Sequence, residues 1–288
     1  MEIVTKNILK TIYKERKSEA KKYDFGLLIV IGGSEFYSGS PALSALAAFR
    51  AGADMVRIVA PKRAADIIAS FSPNLAAYPL EGDWLKKEHL ATLLTITESA
   101  KAVSYGKTAV VIGGGIGRSE ETQNTILDYL SEVSVPVIID ADAIHALGRK
   151  PEVVSGKNFL ITPHTYEFFV LTKREVYKLP DEEKIKAVQE EAAKLQTTIL
   201  LKGHTDIISN GKETVLSKTG SPFMTKGGTG DTLAGIAGAL IARGISVFEA
   251  GQAAAFINGL AGELAARKLG ESLMATDLIE AIPEVIKV

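Results

Sequence analysis

The sequence predicts an α/β fold, a doubly wound and mainly parallel sheet with helices on both faces, and three observations predict it. Short apolar runs ending at Gly, Pro or Asp alternate with longer runs of helical period. The short runs are near-continuous Val, Ile and Leu, which is how strands covered on both faces read. Asn210-Gly211 lies between two apolar runs, the signal of a tight β-hairpin near residues 206–216 that makes part of the sheet antiparallel.

In chain order, residues 26–31 form the first clear strand, closed by Gly32 and Gly33, and 55–60 form another that stops at Pro61. Residues 109–112 run into Gly113, Gly114 and Gly115, and 135–139 end at Asp140. Residues 158–162 stop at Pro163 and 198–202 at Gly203. Helices are expected over 40–51, 62–70, 120–131, 181–195, 232–243 and 248–268. Pro41 suits a helix start, and Gly244 and Gly270 suit the position just past a helix end. With no repeat, low-complexity linker or composition shift, one domain over 1–288 is expected. Residues 1–22 read as a charged amphipathic lead-in forming a solvated surface helix.

Composition narrows the function classes. With 46% hydrophobic and 23% charged residues the chain is an ordinary globular protein. A formal net charge of −1 gives no reason to expect nucleic acid as a partner. Cysteine is absent, which removes disulfides, thiolate metal sites and cysteine nucleophiles and suits a reducing compartment. Neither a signal-peptide core nor the roughly 18 uninterrupted apolar residues of a membrane helix is present, so a cytoplasmic location without membrane contact is expected.

The most informative segment is Lys226-Gly227-Gly228-Thr229-Gly230-Asp231, which opens a helix marked by Leu233, Ile236, Ala237, Leu240 and Ile241. Unpaired N–H groups and the positive dipole end of that helix face the loop. Missing side chains at Gly227, Gly228 and Gly230 let a phosphate reach those donors. Asp231 is either the helix N-cap or a general base that takes a hydroxyl proton beside the phosphate donor.

Other strand ends carry further candidates. Gly106-Lys107-Thr108 imitates the end of a P-loop, but Lys101 stands where its first glycine belongs. Gly113-Gly114-Gly115-Ile116-Gly117 imitates a dinucleotide fingerprint, but Arg118 takes the third-glycine position, leaving a plain turn or a glycine turn near ligand. His164, after Thr162-Pro163, is a substrate contact, a proton shuttle or a structural histidine. Glu167 falls in the first turn of a presumptive helix and suits its dipole. Asp140 and Asp142 cap a helix or hold magnesium near phosphates. Lys202-Gly203-His204-Thr205-Asp206 contacts phosphate or nucleobase, or simply turns into the hairpin.

Taken in order, Ile31-Gly32-Gly33-Ser34 with Tyr37-Ser38-Gly39, Arg50-Ala51-Gly52-Ala53, Ile139-Asp140-Ala141-Asp142-Ala143, Thr162-Pro163-His164, Leu201-Lys202-Gly203, the 227–235 glycine segment and Ala275-Thr276-Asp277-Leu278 resemble the ADP- or ATP-dependent NAD(P)H-hydrate dehydratases of the ribokinase-like superfamily. The resemblance spans nearly all of the chain after residue 22. It implies repair of NADH or NADPH hydrated at carbon 6 of the nicotinamide ring, by phosphorylation of the hydroxyl from ADP or ATP and loss of phosphate. It implies that Asp231 deprotonates the hydroxyl while the amides from Gly227 to Gly230 stabilise the transferring phosphoryl group. By the same matching, Ser40, Gly117, His164 and Asp231 contact the hydrated dinucleotide. Lys202, Gly203, His204, Thr205, Asp206, Gly227, Gly228, Thr229 and Gly230 contact the adenine nucleotide. Mg2+ accompanies the phosphates with no protein ligand assigned, and the assembly is a homo-oligomer, a tetramer in the family. Four positions depart from the family pattern: Gly114 replaces a usual proline, Tyr166 a glycine, Ser221 an asparagine and Asn258 a common histidine. Two other functions use the same features, a vitamin-pathway kinase of the superfamily and a non-catalytic nucleotide-binding paralogue. The small residues Ala253, Ala254, Ala255, Gly259, Ala261 and Gly262 permit close helix packing within or between subunits.

Overall fold

Apolar runs that end at glycine, proline or aspartate pack side by side as parallel strands in the computed structural model, which describes residues 1–287. The first half of the chain contains β1 (Glu2–Ile3), α1 (Asn7–Ile12), β2 (Leu27–Ile31), α2 (Gly39–Arg50), β3 (Met55–Pro61), α3 (Lys62–Phe71), β4 (Ala76–Leu80), α4 (Leu90–Val103), β5 (Thr108–Ile112), α5 (Glu120–Glu132), β6 (Val137–Ile139) and α6 (Asp142–Leu147). The second half contains β7 (Leu160–Ile161), α7 (Thr165–Thr172), α8 (Asp181–Leu195), β8 (Thr198–Leu201), β9 (Asp206–Ser209), β10 (Thr214–Ser217), α9 (Thr229–Ala242), α10 (Val247–Leu269) and α11 (Ala275–Ile286).

The ten strands form one sheet in the order β1-β10-β9-β8-β7-β6-β5-β2-β3-β4, and only β9 runs antiparallel to its neighbours. Alternate residues of β2 enter two different cores. Leu28 and Val30 join α2, α9, α10 and α11, while Leu27, Ile29 and Ile31 join α4, α5, α6 and α8. Both faces are thus covered, which explains the unbroken apolar runs. No helix among the described residues is long and apolar enough to cross a membrane.

The expected helices are present with ends shifted by up to three residues, and the largest shift matters: α9 starts at Thr229, not at 232. The hairpin also forms. Gly211, at φ 85°, takes the first central position of its turn, while the Asn210 side chain accepts from the backbone N–H groups of Lys212 and Glu213. The lead-in departs from expectation. It forms the edge strand β1, parallel to β10, and the short helix α1, with Val4, Leu9 and Ile12 buried in the core. Three apolar anchors among the lysines outweigh solvation of the segment as one helix.

Two helix contacts depend on missing side chains. A Cβ at Gly235 of α9 would collide with the Ser44 carbonyl of α2, and the Ser44 hydroxyl donates to the Asp231 carbonyl at 2.9 Å. Gly235→Ala is therefore expected to destabilise the fold by about 1–3 kcal/mol through overpacking. Thermal unfolding beside Gly244→Ala, which meets no neighbour but carries a positive φ, separates the steric cost from the backbone cost. On α10, a Cβ at Gly259 would stand 2.6 Å from the Thr219 backbone, so this small-residue helix packs closely within the chain.

Candidate functional site

Parallel strands in register bring their carboxyl ends together, the side on which open α/β sheets place ligands. Gly113 follows β5, Asp140 follows β6, Thr162 follows β7 and Lys202 follows β8, and backbone hydrogen bonds tie each to its neighbour. Residues far apart in sequence thereby form one polar cluster. Lys202 Nζ donates to Asp140 Oδ1 at 2.8 Å, lies 3.7 Å from Glu167 Oε2, and Thr162 Oγ1 also donates to Asp140 Oδ1 at 2.8 Å. Burial works against the Lys202 charge, but Asp140, Glu167 and Asp231 outweigh it and hold the ammonium above its ordinary range.

The glycine loop lies against this cluster. Gly228, at φ 98°, is the N-cap of α9, and a Cβ there would approach Leu43 to 2.7 Å and Ala275 to 2.8 Å. Glycine is demanded both by the backbone conformation and by the space. Asp231 is the third residue of the helix, so the N-cap reading of Asp231 is incorrect. A glycine in the left-handed region can end the loop without a capping side chain, and the helix starts three residues early. The first-turn N–H groups have no partner four residues back and face outward from the helix end. Thr229 Oγ1 donates to the Met224 and Lys226 carbonyls, and Lys226 Nζ donates to the Glu271 carbonyl. Asn258 on α10 completes the support, accepting from Thr232 Oγ1 at 2.7 Å and donating to the Thr229 carbonyl at 3.2 Å.

Asp231 is surrounded by groups that change its acidity. Burial is the largest influence and Asp140 adds to it, pushing the carboxyl up to about 7 against a hydrogen bond from Ser40 and the attraction of Lys202. Gly114 makes this meeting possible. A Cβ there would stand 2.8 Å from Asp231 Oδ1 and 3.0 Å from Ser40 Cβ. The departure from proline at Gly114 therefore coincides with direct approach of the carboxylate.

A groove of about 710 Å³ opens on one side of this cluster, lined by His164, Lys202, Gly203, His204, Asp206, Thr229 and Gly230 together with Ser221 and Asn258. Its size suits a nucleotide. Asp206 accepts from the Gly203 N–H at 2.9 Å, and burial raises its carboxyl to about 7 despite that bond and Lys202. Thr205 lines a separate cavity of about 180 Å³, beside Lys184 and Leu216. Gly227 meets no neighbour within 4 Å of its Cβ position, leaving open space at the loop.

Ser40 and Gly117 are not part of the groove lining; Ser40 meets Asp231, and Gly117 belongs to the loop after β5. Gly117, at φ 92°, donates its N–H to Asp142 Oδ2 at 3.0 Å, and Trp84 covers it so closely that a Cβ would stand 2.6 Å from the indole. Asp142 also accepts from Arg118 Nε at 2.5 Å. Neither aspartate caps α6 with its side chain, so the capping reading of Asp140 and Asp142 is incorrect. Asp140 instead carries Lys202, and Asp142 fixes the glycine loop. His164 is the N-cap of α7. Its Nδ1 accepts from the Tyr166 and Glu167 N–H groups, and Glu167 accepts from the His164 N–H at 2.8 Å. Glu167 thus meets His164 twice, its other oxygen, Oε1, lying 3.5 Å from His164 Nε2. Among the described residues no group of three or more His, Asp or Glu is gathered as a metal cage.

Sequence reasoning missed Ser44, Trp84 and the support given by Asn258 to the glycine loop. Ser44 and Asp231 lie 187 positions apart and Thr232 and Asn258 lie 26 apart, so no spacing rule links them.

Residues 28–284 match the family profile described as NAD(P)H-hydrate dehydratase. The chain is 39% identical over 275 residues to the bifunctional NAD(P)H-hydrate repair enzyme Nnr of Methanothermobacter thermautotrophicus, covering 94% of this chain and 51% of that protein. It is 37% identical over 293 residues to the ADP-dependent (S)-NAD(P)H-hydrate dehydratase of Nitrosopumilus maritimus, covering 99% and 96%. The chain thus spans about half the length of the bifunctional relatives and nearly all of the ADP-dependent one. Among solved structures, the ADP/ATP-dependent NAD(P)H-hydrate dehydratase from Bacillus subtilis, co-crystallized with ATP/Mg2+, matches with TM-score 0.82 and 26% identity, covering 99% of this chain and 98% of that one. Since the match runs from β2 into α11 and takes in every strand end that builds the cluster, the chain belongs to the NAD(P)H-hydrate dehydratase family of the ribokinase-like superfamily.

Proposed function

We propose that the protein restores NADH or NADPH hydrated at carbon 6 of the nicotinamide ring, with ADP or ATP as phosphoryl donor. The observation that carries this reading is Asp231, a half-buried carboxyl raised to about 7 in the first turn of α9, hydrogen-bonded by Ser40 and one residue after the groove-lining Gly230. The donor lies along the groove with its phosphates toward the α9 first-turn amides, and the hydrated ring lies on the side of Ser40.

Asp231 takes the proton of the ring hydroxyl. The hydroxyl oxygen bonds to the terminal phosphorus as the bond from that phosphorus to the donor's bridging oxygen breaks. Charge building on the phosphoryl oxygens meets the helix N-terminus, which is already oriented and needs no rearrangement. The carbon–oxygen bond then breaks, phosphate leaves with its electron pair, and loss of a proton from the neighbouring ring carbon restores the double bond.

Magnesium fits as an ion carried by the donor phosphates and water. The carboxylates of Asp140 and Glu167 are already engaged with Lys202, which leaves no ready cage of protein ligands. Such an ion supplies charge neutralisation on the phosphates. Thr229, Gly230 and Lys202 hold the region where those phosphates lie.

The test is recovery of dihydronicotinamide absorbance from hydrated NADH with magnesium and either ADP or ATP. Absence of recovery with both donors overturns the proposal. The base role also predicts a pH profile. A carboxyl at about 7 is protonated and inactive below that pH, so kcat/KM is expected to fall about tenfold per unit below 7 and level off above it. A midpoint near 4 would show that the base is not a carboxyl raised by burial.

A further inference from the structure

Tyr166 is the second residue of α7, beside the groove-lining His164, and 61% of it is exposed. A lone exposed aromatic needs no explanation, but this ring is held from several directions. Its centroid lies 6.4 Å from His164 at an interplanar angle of 24°, 6.1 Å from His145 at 47°, and 6.4 Å from Phe169 at 37°. The supporting rings come from both α6 and α7, so tertiary packing rather than a loop fixes the tyrosine. Preorganisation of this kind lowers the ordering cost of stacking a planar ligand.

Its place in the fold indicates which ligand. On one side His164 borders the donor groove, which runs from there along Lys202 and Gly230 toward Asn258. On the other side His145 belongs to α6, whose Asp142 holds the Gly117 N–H and Arg118 Nε. Arg118 is 55% exposed and keeps its terminal amino groups for another anion. The Tyr166 ring and the Arg118 charge both lie near His145, and a fixed ring with a guanidinium in the same neighbourhood matches a base joined to a diphosphate.

We propose that Tyr166 is a stacking platform for an aromatic base of the dinucleotide substrate, with Arg118 facing its diphosphate, in a subsite separate from the donor groove. The inference rests on the substrate reading above.

The test titrates unhydrated NADPH, and separately ADP, into the wild-type protein and the Tyr166→Ala and Tyr166→Phe variants by calorimetry. Loss of the ring is expected to weaken NADPH about 5- to 150-fold, the range measured for base–aromatic stacking, while Tyr166→Phe stays within about twofold. ADP affinity is expected to be unchanged in both. Equal NADPH affinity in wild type and Tyr166→Ala overturns the platform. Parallel loss of ADP and NADPH affinity also overturns it, because the ring would then only support α7 and its His164 cap. A wild-type protein that binds ADP but no NADPH overturns the substrate reading itself.

Discussion

Asp231→Asn is expected to slow repair of hydrated NADH by about 10²- to 10⁴-fold, the usual contribution of a positioned general base. ADP affinity should remain within about twofold. The amide has the shape of the carboxylate and can keep the Ser40 contact, but it cannot take the hydroxyl proton. Single-turnover kinetics beside ADP titration separates the two effects. Near-normal turnover would reduce Asp231 to a structural residue of the first helical turn. The same variant has a signature in stability. The folded-state carboxyl sits at about 7, above its ordinary 3.8, so the folded protein binds the proton more tightly than the unfolded chain. Stability from this group is complete below about pH 4 and is lost as pH rises through about 7. Asp206 shares that window, with its carboxyl also near 7. Asp231→Asn removes one of the two contributions, so the variant's thermal midpoint should gain on wild type between pH 5 and pH 8. An equal offset at both values would show that Asp231 is not held protonated by burial.

Lys202→Met is expected to cost about 3–5 kcal/mol of stability, because it leaves the buried Asp140 carboxylate facing Glu167 and Asp231 with no cation. With 20% of the lysine side chain exposed, the lower end of that range is expected. Urea unfolding measures the loss. A second change, Asp140→Asn in the same chain, should recover part of it, since the uncompensated charge rather than the missing ammonium is the main cost. The residual activity of Lys202→Met should also need a higher pH, because Lys202 is one of the groups that hold the Asp231 carboxyl down. Unchanged stability and an unchanged pH profile would together exclude the cluster as an electrostatic unit.

Two elements that escaped the sequence reading did so for different physical reasons. β4 contains Pro79 and lies at the sheet edge, where only one neighbour constrains it and much of the strand is exposed. Helix α4 carries Thr92, Thr95 and Thr97, whose branched side chains weaken the helical signal. Its helical state comes from packing of Leu93, Thr97 and Ala100 in the core. Strands β2 and β5 were legible because their near-continuous apolar runs are satisfied by burial on both faces.

By itself, the sequence determined the α/β class, the order of most strands and helices, and a glycine segment whose bare backbone opens a helix toward phosphate. These are local properties of composition and period, carried by neighbouring residues. Only the tertiary structure decided that Gly228 caps α9 and places Asp231 in the first turn, and that Asp140 serves Lys202 rather than a helix end. It also decided that the charges of Asp231 and Lys202 act on each other. Asp140 and Lys202 are 62 positions apart, and their meeting depends on the register of β6, β7 and β8. The acidity of Asp231 depends on burial and on charges brought there by other elements, quantities that no local pattern contains.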